Sequence, residues 1–346
     1  MTKRTRRISP PVLVFAAVFF IAFDARAGKS GAFADVARKK PDVTIVVTDS
    51  GLGGLSVAAD LAARLPASGI VRSARIVFVN AEPEVAFGYN DMKFEADKVR
   101  VFDGALAAME TRYRPDLILI ACNTLSVVYG ETAHARRGGT ETIEIVGLGA
   151  GLIRRELAER PDATALVFAT KTTIESGSHK KLLVDKGVPA DHVVGEACPR
   201  LAGAIERGAS SDETVAYVRK FVAEALEKRP DKNGPFLASL NCTHFGYVKP
   251  LWEQAFAGAG YPGVKVLDPN PLMTDLVLRH GGAKRFPSTA VTVEVVSKVP
   301  IDEATRGNLG ALLQSVSPET AYALARYRHE PALFPATVDP MAVVAR

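Results

Sequence analysis

Apolar residues along this chain recur in two alternating patterns: short continuous aliphatic runs, and longer stretches in which apolar side chains return every three or four positions. The first kind reads as strands buried on both faces, the second as helices with one packed face. Residues 43–47 open the series as a strand and lead directly into Thr48-Asp49-Ser50-Gly51-Leu52-Gly53-Gly54, a glycine-rich turn, and then a helix through Leu65. Strands over 75–79 and 117–121 alternate with helices over 94–113 and 125–136. A second series starts at 144–146 and continues with strands at 165–169, 192–195 and 236–240. A helix over 251–257, a strand over 264–267, the break Asp268-Pro269-Asn270-Pro271, a strand over 291–296 and a helix over 303–316 complete the pattern.

Such alternation predicts an α/β fold of βαβ units with mostly parallel sheets, whose functional groups gather at the carboxyl ends of strands. Two lobes are expected. The first spans 41–146 and returns over 269–325, the second spans 147–268, and 326–346, aperiodic and containing proline, is expected as a loosely packed tail.

The amino terminus follows a different pattern. A basic opening (Lys3, Arg4, Arg6, Arg7), an apolar run over 12–23 and the ending Ala25-Arg26-Ala27 read as a secretory signal peptide over 1–27, with a weak twin-arginine character, followed by a linker over 28–40. The apolar run is short for a bilayer span, so no stable membrane anchor is expected after cleavage. An exported, periplasmic protein follows from this, or a cytoplasmic one if translation starts later. That segment also carries four of the five net positive charges. The remainder is close to neutral and has no basic patch with interleaved aromatics, which argues against nucleic acid and for a small-molecule substrate. A homodimer is compatible with the pattern.

Three cysteines, Cys122, Cys198 and Cys242, form no disulfide framework and no CxxC pair. Two of them belong to an internal echo: the apolar runs ending Ala121-Cys122-Asn123-Thr124 and Asn241-Cys242-Thr243-His244. Each lobe thus delivers one thiol from a strand end. Two thiols on opposite sides of a carbon suit racemisation, because one face must lose a proton while the other receives one. Free cysteines also serve as buried packing groups, and that remains the plainer reading of either one alone.

Asp49 follows a strand and precedes three glycines, so its carboxylate can face the same cleft while the turn offers N–H groups to an anion; it could equally cap the next helix. His244, two residues past Cys242, could stabilise a thiolate. A CxH pair without a second ligand pair gives no zinc site. Thr170-Lys171-Thr172-Thr173 offers hydroxyls for a substrate's carboxylate or ammonium, or a helix cap from Thr172 or Thr173. Gly147-Leu148-Gly149-Ala150-Gly151 has a faint dinucleotide-loop look but lacks the full spacing.

Taken in order, Asp49-Ser50-Gly51-Leu52-Gly53-Gly54-Leu55, Ala121-Cys122-Asn123-Thr124, Ala169-Thr170-Lys171 with Glu175-Ser176-Gly177, Ala197-Cys198-Pro199 and Cys242-Thr243-His244 resemble the glutamate racemases of the aspartate/glutamate racemase superfamily over about 43–316. The resemblance implies two pseudo-symmetric α/β lobes with the active site in the cleft between them, and no cofactor, neither pyridoxal phosphate nor metal. It implies that Cys122 and Cys242 exchange the α-proton of glutamate, assisted by Asp49 and His244 respectively. Ser50, Asn123, Thr124 and Thr243 fall at substrate-contacting positions, and Cys198 at a structural one.

Three departures accompany the resemblance: Ala86-Phe87-Gly88 stands where a Pro-Tyr-Gly substrate loop is usual, so Phe87 and Gly88 take the loop's place without its hydroxyl. Asn241 replaces a glycine, and Phe245-Gly246 a Tyr-Pro. These leave aspartate or a broader set of amino acids open as substrates. The family's role in peptidoglycan precursor synthesis is cytoplasmic, unlike an exported protein. Two other functions stay open: an exported amino-acid-binding protein without turnover, and an isomerase or lyase using one thiol as a nucleophile.

Overall fold

The computed structural model describes residues 32–335. The expected signal peptide and the last eleven residues lie outside them. Ten strands form two sheets: β1 (Asp42–Asp49), β2 (Ser73–Asn80), β3 (Leu117–Ile120), β4 (Thr142–Glu144), β5 (Thr164–Ala169), β6 (Val193–Ala197), β7 (Phe236–Asn241), β8 (Val266–Leu267), β9 (Ala290–Ser297) and β10 (Arg328–His329). The larger sheet runs β10-β9-β2-β1-β3-β4 and the smaller β6-β5-β7-β8. Every pairing is parallel.

Parallel sheets need helices on both faces, which explains the continuous apolar strands. Along β1, Val43, Ile45 and Val47 point into one core and Val46 into another. Along β5, Leu166 and Phe168 face one core while Ala165 and Val167 face a second. The alternation is the two-residue period of a pleated strand, with each face covered. At roughly 1.5–3 kcal/mol per fully buried aliphatic side chain, these four cores are the main hold on the fold.

Strand order reverses at the same place in both sheets. In the first, β1 has β2 on one side and β3 on the other; in the second, β5 has β6 and β7. Open parallel sheets open a crevice at such a switch point, beyond the carboxyl ends of the two central strands. Asp49 and Cys122 stand there in one lobe, Thr170 and Cys242 in the other.

Several local expectations need correction. Residues 28–40 are no linker throughout, since Ala32–Lys39 is a helix that buries Phe33 and Ala37. The stretch read as a strand over 144–146 is edge strand only to Glu144. From Ile145 it is a helix to Glu159, because the Glu144 carboxylate accepts the N–H groups of Val146 and Gly147 and caps it. The glycines at 147–151 therefore sit in a helix and form no nucleotide loop. The helix over 125–136 breaks into Asn123–Tyr129 and Ala133–Arg137, the second capped by Thr132. The tail is docked as far as it is described: β10 extends the first sheet, and Leu333 and Phe334 are buried. Among the described residues, no helix is long and apolar enough to cross a membrane.

Candidate active site

The two switch points face one cleft of about 280 Å³, close to the lower end of ordinary ligand pockets at roughly 300 Å³. It is lined by Asp49, Ser50, Gly88, Cys122, Asn123, Thr124, Cys242, Thr243 and His244, so all the expected site residues except Phe87 come together. Phe87 instead packs, partly buried, against one of the first lobe's two cores. Of the three departures, only the 86–88 loop reaches the cleft. Asn241 is fully buried, donates to Ser239 and lies against Gly149 beneath the helix Ile145–Glu159, and Phe245 packs on Trp252.

Both cysteines are free and buried, and each ends a strand by entering a helical turn. Their surroundings differ. Ser50 Oγ lies 3.1 Å from Cys122 Sγ. Burial, with the Asp49 carboxylate second, pushes the Cys122 thiol well above its ordinary range, so this side holds its proton. Cys242 Sγ stands 3.8 Å from His244 Nδ1, while His244 Nε2 donates to Glu206 Oε1 across 2.6 Å. Burial works against charge on this imidazole, yet hydrogen bonds to Cys242 and Glu206 outweigh it and hold His244 well above its ordinary value. A charged imidazole is the kind of electropositive neighbour that reactive thiols have.

Asp49 makes no hydrogen bond to Cys122. Its Oδ2 accepts from Thr243 Oγ1 at 2.6 Å and its Oδ1 from the Gly51 N–H at 3.2 Å, so it ties the lobes together and acts on Cys122 through its field. Nor does it cap the helix Leu55–Ser68, which has no side-chain cap. The turn's Leu52 N–H does meet an anion, the Glu206 carboxylate at 3.1 Å. A side chain at Gly53 would collide with Thr243 and His244, which is why the turn needs glycine there. Thr124 and Thr170 share a hydroxyl contact of 2.8 Å across the cleft, and Thr170, not Thr172 or Thr173, caps the short helix Lys171–Glu175. Lys171 points away and is largely exposed. Cys198 is buried in the second lobe's core, its thiol donating to the Glu196 carbonyl.

Sequence reasoning missed Glu206, Glu82, Tyr89, Asn90 and Asp91, all of which line the cleft. Glu206 sits on the helix Leu201–Arg207, where its charge looks like ordinary helix surface. The others follow β2 in an aperiodic loop. Two side chains in the cleft lack partners: the Tyr89 hydroxyl and both amide atoms of Asn123, each residue nearly fully buried.

No family model matches the chain. It is similar to a glutamate racemase of Lysinibacillus sphaericus strain C3-41, 28% identical over 210 residues, which is 60% of this chain and 72% of that protein. A glutamate racemase of Lactiplantibacillus plantarum is 26% identical over 64% of this chain and 72% of its own length. Among solved structures, glutamate racemase from Francisella tularensis in complex with D-glutamate has a TM-score of 0.60 at 20% identity, covering 80% of this chain and 95% of that one. The last comparison establishes the shared two-lobed α/β fold. The resemblance to glutamate racemases read from the motifs is borne out.

Proposed function

We propose that this protein is a cofactor-independent amino-acid racemase in which Cys122 and Cys242 pass the α-proton across the substrate's α-carbon. One observation carries the reading: two free thiols, each at the switch point of its own parallel sheet, line one cleft together with unsatisfied hydrogen-bonding groups. Its relatives bear the name glutamate racemase, so glutamate is the reference substrate and aspartate the next.

In one direction Cys242, as thiolate beside the His244 imidazolium, removes the α-proton, and Cys122, kept protonated by burial and Asp49, returns one from the other face. In the reverse direction the roles exchange. The Asn123 amide and the hydroxyls of Ser50, Thr124 and Thr243 surround the space for the α-carboxylate and α-ammonium. A buried site strengthens each of these contacts, since little water competes. Incubation of the purified, reduced protein with single enantiomers in deuterium oxide tests the reading: α-deuteration with loss of optical rotation supports it. Tight binding of amino acids without any exchange would instead identify a binding protein.

A further inference from the structure

The polar groups of the cleft sort by the element that carries them. Ser50 stands just beyond the end of β1, Asn123 and Thr124 beyond β3, and Thr243 beyond β7, all around the two thiols. The remaining wall of the first lobe is the loop after β2, which brings Ala86, Gly88 and Tyr89 to the cleft. With the α-carboxylate and α-ammonium held at the strand ends, this loop is the wall left for the substrate's side chain.

Most polar groups of the loop are already engaged. The Gly88 N–H donates to the Asp91 carboxylate at 2.8 Å, the amide oxygen of Asn90 accepts the Thr172 N–H at 3.2 Å, and Glu82 is hydrogen-bonded by Asn80. Tyr89 is the exception: it is 1% exposed and its hydroxyl has no partner. Its ring stands edge-on to Phe102, the centroids 6.4 Å apart, so packing in the core fixes where the hydroxyl lies. The backbone is committed as well. Ala86 has a φ of 59°, in the left-handed region that a side chain rarely adopts, and this turn lets Phe87 pack on the core while Gly88 and Tyr89 reach the cleft. Buried Lys298 braces the turn through the Pro83 carbonyl and the Glu84 carboxylate.

A buried hydroxyl without a partner is costly, and an acceptor on a ligand removes that cost. Burial, with Cys122 second, pushes the Tyr89 phenol well above its ordinary range, so it remains a neutral donor. The nearby acids leave room for an anionic acceptor: Asp49 is engaged by Thr243 and Glu206 by His244, and burial pushes Glu82 up to about 7, so that it carries only part of its charge at neutral pH.

We infer that Tyr89 selects the substrate by its side chain, its hydroxyl donating a hydrogen bond to the side-chain carboxylate of glutamate. This rests on the racemase reading with glutamate as the substrate.

Tyr89→Phe keeps the ring and its packing and removes only the hydroxyl. Wild type and variant are compared on L-glutamate and on L-norvaline, which carries a methyl group in place of the side-chain carboxylate. The readouts are α-proton exchange in deuterium oxide and the rise in melting temperature that glutamate produces. In the variant kcat/KM for glutamate should fall roughly tenfold to a hundredfold, the loss of one hydrogen bond to a charged group, while that for norvaline stays within about twofold. Glutamate should also raise the variant's melting temperature less than the wild type's. An equal fall on both substrates would tie Tyr89 to the reacting centre beside Cys122 and overturn the inference, as would unchanged kinetics and an unchanged glutamate-dependent shift. If neither amino acid exchanges, the racemase reading falls; the inference falls with it unless glutamate still stabilises the wild type more than the variant.

Discussion

The two lobes place a cysteine at the same topological point and then surround it differently. Around Cys122, burial first and the Asp49 carboxylate second favour the neutral thiol, outweighing the hydrogen bond with Ser50. Around Cys242 the neighbour is an imidazole held in its charged form by Glu206. Sheet topology thus explains why two thiols meet, and the loops explain why they are not equivalent at rest. Under the proposed two-thiol scheme this asymmetry suits one direction of proton transfer, and the thiols must exchange their proton before the same direction can run again.

Removing either thiol breaks the comparison outright. Cys122→Ala and Cys242→Ala should each lower racemisation of both enantiomers by roughly 10²–10⁴-fold, the range of a lost acid or base, measured by polarimetry under reducing conditions. Full turnover in either variant would refute the two-thiol scheme. A smaller effect sharpens the contrast. In Glu206→Gln the imidazolium loses its carboxylate, so His244 should give up its proton at lower pH. Activity is then expected to fall by about tenfold for each unit through which that value drops, with the alkaline limb of the pH–rate profile moved toward acid. A limb in the wild-type position would separate His244 from the chemistry.

Much of this arrangement was legible in the sequence because buried parallel strands write themselves as continuous apolar runs, and their polar ends stand out against them. The runs before Cys122 and Cys242 are of that kind, and the glycine turn after Asp49 marks a close backbone approach. What could not be read comes from segments without a period. Glu206 enters the site because helix Leu201–Arg207 packs against the turn containing His244, a contact between residues 38 apart in the chain. Glu82, Tyr89 and Asp91 lie in a loop whose polar composition gives no hint that it lines a cleft. Asn241, singled out as a change near the cleft, points the other way because successive strand residues face opposite sides of the sheet.

The smallest expected effect concerns that loop, and it links stability to the carboxyl of Glu82. The carboxyl of Glu82 is raised from 4.5 to about 7 in the folded protein, mainly by burial. Below about pH 4.5 it is protonated whether the chain is folded or not, and contributes nothing to pH dependence. Between that point and 7 the unfolded chain releases the proton while the folded one keeps it, so stability declines as pH rises, and above 7 the full penalty persists. Glu82→Gln removes the penalty. Its melting temperature relative to wild type should therefore rise between pH 4 and pH 8, by about 2–4 °C if the penalty is near 1 kcal/mol. A difference that stays flat across pH would mean that Glu82 is well solvated when folded.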